Sequence, residues 1–412
     1  MELVMKRTFA ALEVRNFKLF VIGQGISLCG TWMQTIGLSW LVLQLTHSGT
    51  QLGLVVAAQF LPILMFGLWG GVIADRFDKR RVLYVTQTLF GLLALTLGLL
   101  VVTHVIQLWM IYSLAICLGL VNVVDNPSRQ SFVIEMVGGK YLKNAVTLNS
   151  TMVNAARIIG PSIAGILIVT VGIGECFIAN ALSYIAVLIA LFMMCEKELH
   201  KAPLSIKKPG QIRAGLAYVW SVPKLKSTLI MMFIIGTFAY ELPVILPLFA
   251  TITMHGDAKT YTVMMAATGV GAIVGGLYTA GKATARETQL VWTAILFGLS
   301  MLVVACMPTF IASLIALFFV GALSVLFLAL GNTTLQLTSE PAMRGRVMSL
   351  WAIAFLGTTP IGGPLIGLIS DHSNPRIGLA VGGISAVVAG GIGLFVYNNT
   401  KGSHIEAETA DF

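Results

Sequence analysis

Charge is what this sequence has least of. Only 10% of its 412 residues are Asp, Glu, Lys or Arg, while 57% are hydrophobic; a soluble domain carries about 25% and about 45–50% respectively. So little polar surface excludes a soluble globular protein. Cysteine is scarce too. Cys29, Cys117, Cys176, Cys195 and Cys306 lie in or beside apolar runs with no Cys-x-x-Cys spacing, which suits packing rather than metal or redox chemistry. The six histidines (47, 104, 200, 255, 372 and 404) fall in loops, at span edges or in the tail. None forms an i,i+4 metal pair within an apolar run, and none is placed as a catalytic base. Gly269-x-Gly271 and Gly362-Gly363 interrupt apolar segments, where close helix packing explains them better than phosphate binding. No nucleotide site, metal site, cofactor or enzyme chemistry is therefore predicted. Nor is nucleic acid a partner, because the surplus of 26 Lys+Arg over 17 Asp+Glu reports topology in a membrane protein. The first apolar run is too long for the core of a cleaved leader.

What is abundant is long apolar sequence. Polar breaks leave twelve segments, at about 17–45, 50–74, 82–102, 107–132, 142–170, 174–195, 226–252, 258–283, 288–306, 309–336, 344–371 and 375–398. Each approaches or exceeds the roughly 20 residues that span a bilayer as a helix. The expected fold class is an all-α membrane protein of twelve transmembrane helices in two six-helix bundles, 1–195 and 226–400. A linker at 196–225 and a tail at 401–412 complete the chain. With the N-terminus inside, the outer loops hold only Lys259 and Arg376, Arg157 lies within a span, and every other Lys and Arg falls inside. That bias places both termini in the cytoplasm. Gln211 to Trp220 reads either as an amphipathic surface helix with Ile212, Leu216 and Val219 on one face, or as plain linker. Glu406 to Phe412 reads as disordered.

The halves repeat in register. Asn126-x-x-x-Gln130 with Glu135 corresponds to Asn332-x-x-x-Gln336 with Glu340, Gly160-Pro161 to Gly363-Pro364, and Gly70-Gly71 to Gly275-Gly276. A six-helix unit repeated in parallel is transporter logic. The second copy has Ala280 where the first has Asp75.

Between the second and third segments stands Gly70-Gly71-Val72-Ile73-Ala74-Asp75-Arg76-Phe77-Asp78-Lys79-Arg80-Arg81, six of its residues charged. The order Gly-x-x-x-Asp-Arg-x-x-Lys-Arg-Arg resembles the loop signature of the major facilitator superfamily, with Asp78 in place of the usual glycine. Further motifs narrow the likeness: Gly23-Gln24, Gly30-Thr31-Trp32-Met33-Gln34, Phe60-Leu61-Pro62, Asp125-Asn126-Pro127-Ser128-Arg129-Gln130 and Asn154-Ala155-Ala156-Arg157-Ile158-Ile159-Gly160-Pro161. Together these resemble the enterobactin-exporter branch, which holds siderophore and drug exporters. The likeness is dense over about 16–166 and mostly architectural beyond. It implies the major facilitator fold, alternating access and export driven by proton entry. It also implies a cytoplasmic latch, in which Asp75 faces the start of the eleventh helix. Gly71, Arg76 and Arg80 belong to the loop side of that latch, and Arg344 and Arg346 to the other.

The candidate site residues also stand on their own chemistry. Gln24, Ser27, Thr31, Gln34 and Thr35 recur at helical spacing as one polar stripe on the first span. Such a stripe faces either a water-filled cavity or hydrogen-bonding neighbours. Thr147, Ser150 or Thr151, Asn154 and Arg157 form a second stripe. Trp32 and Trp40 read as packing or interface aromatics rather than ligand platforms. Asp125, Arg157 and Glu241 are charges inside apolar runs, each costing at least about 2.5–3.5 kcal/mol at a helix centre. Arg157 can offset one of the two carboxylates. Burial disfavours the charged form of the other, so Glu241 or Asp125 is the expected proton carrier. Asp125 can equally pair with Arg157 or Arg129, or cap a helix break.

The expected substrate site comprises Gln24, Thr31, Gln34, Asn154, Arg157 and Glu241. The expected activity is proton-antiport export of a siderophore or amphiphilic drug-like molecule by an inner-membrane monomer whose partners are substrate, protons and lipid. Proton-coupled uptake is the alternative. A membrane enzyme or receptor would need a catalytic constellation or a sizeable extramembrane domain, and neither is present in the sequence.

Overall fold

The computed structural model describes residues 10–200, 211–280, 287–340 and 343–410. Twelve helices are long and apolar enough to cross a membrane, where the apolar runs predict them. They are α1 Arg15–Thr46, α2 Gly49–Arg76, α3 Lys79–Val102, α4 Leu108–Gly139, α5 Asn144–Thr170 and α6 Ile173–Met193. There follow α7 Pro223–Thr253, α8 Ala258–Ala280, α9 Glu287–Cys306, α10 Phe310–Thr338, α11 Arg346–His372 and α12 Pro375–Ala410. No strand occurs among the described residues.

Each boundary has a local cause. Phe77 and Asp78 alone separate α2 from α3, and the Asp78 side chain caps α3 by accepting the Arg81 N–H at 3.1 Å. The break between α4 and α5 falls at Gly138, whose φ of 63° favours glycine. His200, just after α6, lies against that break and donates its N–H to the Glu135 carbonyl at 2.8 Å.

Contacts divide the chain into two compact units. The first comprises 1–47, 58–207 and 257–266; the second comprises 48–57, 208–256 and 267–412. The first turns of α2 and of α8 thus belong to units other than their sequence halves. At one end of the first unit, Phe17, Phe20, Leu83, Phe132, Met136 and Leu191 form an apolar core. Phe20 and Phe132 meet edge to face at 6.3 Å there.

The linker holds a helix at Gln211–Ser221, the first of its two readings. Its faces differ from the expected one. Gly215 and Val219 are buried, Gly215 against Arg346, while Leu216 and Trp220 are exposed. The side chain of Ile212 lies outside the described residues. The Tyr218 hydroxyl accepts the Glu340 N–H at 3.1 Å. The tail corrects another expectation. Rather than leaving disordered chain from Glu406, α12 continues to Ala410, through Glu and Ala residues of high helix propensity.

Candidate functional site

In the second unit, α7 and α11 are both discontinuous. The first part of α7 ends at Phe238 and helix resumes at Leu242; the first part of α11 ends at Leu356 and helix resumes at Thr359. Proline explains both breaks. Pro243 and Pro360 have no N–H for the carbonyls of Ala239 and Leu356, four residues earlier, and their rings crowd those carbonyls. Glu241 lies in the first break, 2% exposed, and its carboxylate hydrogen-bonds Thr359 at the second. Its Oε1 has no hydrogen-bond partner among the described residues. The same carboxylate rests on Gly362 and Gly363, whose missing side chains make the room: a Cβ on Gly363 would lie 3.4 Å from Oε2. The neighbouring Tyr240 donates its hydroxyl to the Ser324 carbonyl of α10 at 2.7 Å and packs its ring on Phe297 and Phe355. A buried acid where two broken helices meet can exchange a proton or bind a polar ligand atom, because the unwound backbone leaves polar groups unpaired by helix.

Glycines continue this geometry. Gly49 and Gly53 at the start of α2 meet Gly367 and Gly363 of α11 backbone to backbone, four small residues allowing close approach. The seam ends at Asp371. Its carboxylate accepts the N–H groups of Gly49 and Thr50 and the hydroxyls of Ser48 and Thr50, at 2.6–2.8 Å. Sequence reasoning missed Asp371 because an acid at a span end looks like ordinary loop polarity. Its signal was the Ser48-Gly49-Thr50 helix start, which supplies donors but no acid of its own.

In the first unit the polar stripe of α1 divides. Gln34 accepts from the amide of Asn180 on α6 at 2.6 Å, and Thr31 lies 3.3 Å from the Tyr184 hydroxyl. Gly30 permits this approach, since a Cβ there would strike the side chains of Asn180 and Ser183. Thr35 bonds back to its own helix at the Thr31 carbonyl. Gln24 and Ser27 are buried, and Gln24 Oε1 and Ser27 Oγ lack hydrogen-bond partners among the described residues. The hydrogen-bonding reading therefore holds for Thr31 and Gln34, while Gln24 retains acceptor capacity.

Arg157 on α5 is half-buried, its guanidinium 5.0 Å from the centre of the Trp32 ring. The backbones close up beside it, where Gly160 packs on Trp32 and the Cys29 carbonyl. Trp32 thus packs against a cation of its own chain. Trp40 does pack, stacked on Tyr261 at 6.5 Å. Asp125, 2% exposed, takes the structural option: it accepts from Thr86 at 2.7 Å and Gln87 at 2.8 Å and pairs with Arg129 at 3.4 Å. The side chain of Asn154 lies outside the described residues.

The side chains of Gly71 and Asp75 lie outside the described residues. Arg80 instead closes the end of α6, donating to the carbonyls of Leu191, Phe192 and Met194 at 2.7–3.3 Å. Four C-terminal carbonyls without helical partners explain why a guanidinium settles there. Arg76 and Arg344 are exposed, and Arg346 bonds Met343 Sδ at 3.1 Å. Sequence reasoning also missed Lys79–Glu135, a buried ion pair at 2.8 Å.

Twelve spans in two units, in a chain without strands among the described residues, fit the fold of the major facilitator class of transporters. Comparison with known proteins makes the class specific: residues 6–409 match the family described as transmembrane secretion effector, and the chain belongs to that family. Relatives include the staphyloferrin A transporter of Staphylococcus aureus, 24% identical over 93% of this chain and 97% of that one. The enterobactin exporter EntS of Citrobacter koseri is 25% identical over 91% and 90%. The multidrug efflux pump Tap of Mycolicibacterium fortuitum is 24% identical over 83% and 86%. Among solved structures, a bacterial homolog of the human lysosomal transporter Spinster shares the fold, with TM-score 0.71 and 13% identity over 93% and 97%. A POT family transporter does so with TM-score 0.75 and 13% identity over 93% and 96%.

Proposed function

We propose that this transporter exports a siderophore, or a comparable amphiphilic small molecule, in exchange for protons entering the cell. Relatives named as a staphyloferrin A transporter and enterobactin exporters support the substrate class. The observation that carries the coupling is Glu241: a buried carboxyl group at the meeting of two helix breaks, with one oxygen unpartnered among the described residues. Gain or loss of one proton there changes the charge of the site by a full unit, with no cation paired to it among the described residues. Asp125 is less suited to that role, because Arg129, Thr86 and Gln87 already hold its charge.

Arg157 on the face of Trp32 is the proposed contact for an anionic group of the substrate, and Gln24 for a donor. The halves 1–195 and 226–400 alternate access across the plasma membrane, in a monomer whose termini both lie in the cytoplasm. The Asp75 loop and the start of α11 serve as the cytoplasmic latch.

Purified transporter in inside-out vesicles tests the reading with staphyloferrin A, enterobactin and a panel of cationic dyes. The expected result is accumulation of a siderophore that requires an acidic lumen. Accumulation indifferent to the pH gradient would remove proton antiport. Uptake only in right-side-out vesicles would make the protein an importer.

A further inference from the structure

The basic loop uses its cations unequally. Lys79 is buried against Glu135, and Arg80 is held by the carbonyls ending α6. Arg76 and Arg81 are exposed, and their guanidinium groups have no ion-pair partner among the described residues. Both line a cleft of about 610 Å³ formed by the end of α2, the first half of α3 and the middle of α4. Asp78 also lines it, but its side chain is engaged in capping α3. Apart from Thr86, which is buried and bonded to Asp125, the remaining wall is apolar, and much of it faces outward: Val85 is 60% exposed, Leu89 41% and Leu120 44%.

Two guanidinium groups above a hydrocarbon wall, at the edge of a membrane span, select for a ligand with the same division. A soluble anion would leave the wall uncovered. A zwitterionic lipid carries its own cation toward the arginines. Guanidinium binds phosphate oxygens in bidentate fashion, and basic clefts between spans at the membrane surface hold anionic head groups. We infer that this cleft is a binding site for one anionic phospholipid of the adjoining leaflet, its phosphate between Arg76 and Arg81 and an acyl chain along Val85, Leu89 and Leu120. The site is independent of what the transporter carries.

The full chain in nanodiscs of equal phosphatidylglycerol and phosphatidylcholine, matched in acyl chain, tests this by native mass spectrometry of retained lipids. The wild type is expected to retain phosphatidylglycerol preferentially. Each arginine contributes a factor of about five, so R76Q/R81Q loses roughly 25-fold in preference. R15Q/K18Q removes two other exposed cations and is expected to keep it. V85W fills the cleft without altering charge and is expected to lower retention. Equal retention of the two lipids by the wild type overturns the proposal. So does an unchanged preference in R76Q/R81Q, an equal loss in R15Q/K18Q, or full retention in V85W.

Discussion

The carboxylate of Asp371, at the end of α11, accepts the backbone N–H of Gly49 at 2.6 Å. An acid in the last turn of one span therefore caps the start of another. Capping satisfies donors that no helical carbonyl can reach, and negative charge there complements the helix dipole. Asp371→Ala is expected to cost about 1–2 kcal/mol of stability, seen as a lower melting temperature in detergent. Asp371→Asn keeps one acceptor oxygen and should cost less. Equal melting of all three proteins would show that Ser48 and Thr50 hold the start of α2 without it.

Glu241→Gln keeps the volume of the side chain and its contact with Thr359 but removes the exchangeable charge. The variant is expected to fold, to exchange labelled substrate across vesicles at a rate within about threefold of wild type, and to lose transport driven by a pH gradient. In kinetic terms a coupling step is removed while ground-state binding is kept. Full gradient-driven transport by the variant would exclude Glu241 as the proton carrier.

Glu241 also shows what a sequence makes legible. A single acid in an apolar run is costly wherever the run folds as a span, so it stands out without any coordinates. The twelve spans are legible for the same reason, and so is the repeat: Gln130 bonds Asn126 in the first half as Gln336 bonds Asn332 in the second. Partners are another matter. Lys79, Arg80 and Arg81 are equivalent as sequence, yet one meets an acid, one meets carbonyls and one meets neither. Those fates depend on where α4 and α6 end, which local pattern does not encode. Thr31 and Gln34 likewise point at α6 only because Gly30 lets α6 approach.

The stack of Arg157 on Trp32 predicts a separation of charge from shape. Arg157→Lys retains the cation but loses the planar group that lies on the ring. Trp32→Leu retains the guanidinium and loses the platform, worth about 0.5–2 kcal/mol. Both variants are expected to weaken binding of an anionic substrate by roughly 2- to 30-fold, measured as the half-saturation concentration for transport. Unchanged values in both would place the pair outside substrate recognition.

The Lys79–Glu135 pair predicts strong non-additivity. The two side chains are 9% and 7% exposed, so removing either leaves a buried charge, at a cost of about 3–5 kcal/mol. Lys79→Met and Glu135→Leu are each expected to reduce the yield of folded protein sharply. The double variant, with both charges gone, should recover to near wild-type melting. Additive losses across this cycle would mean that the two residues act separately.

Asp257, ahead of α8, offers a pH-dependent test outside the spans. Its carboxylate accepts the Thr260 N–H at 3.0 Å and lies 3.2 Å from the Thr260 hydroxyl. The Thr260 backbone N–H holds the carboxyl below the usual range, against a smaller opposing effect of burial. A depressed folded pKa means that the unfolded state binds the proton more readily. The contribution is thus complete above the unfolded value, about 3.9, and disappears as pH falls through the folded one. Asp257→Ala is expected to speed hydrogen exchange at the first turn of α8 at pH 7, by roughly fivefold for a cap of about 1 kcal/mol. Near pH 3 the gap between wild type and variant should narrow. Asp257→Asn, whose amide oxygen caps without titrating, should hold its protection relative to the alanine variant at both values. If the gap between wild type and alanine is the same at both pH values, the ionised carboxylate is not what caps α8.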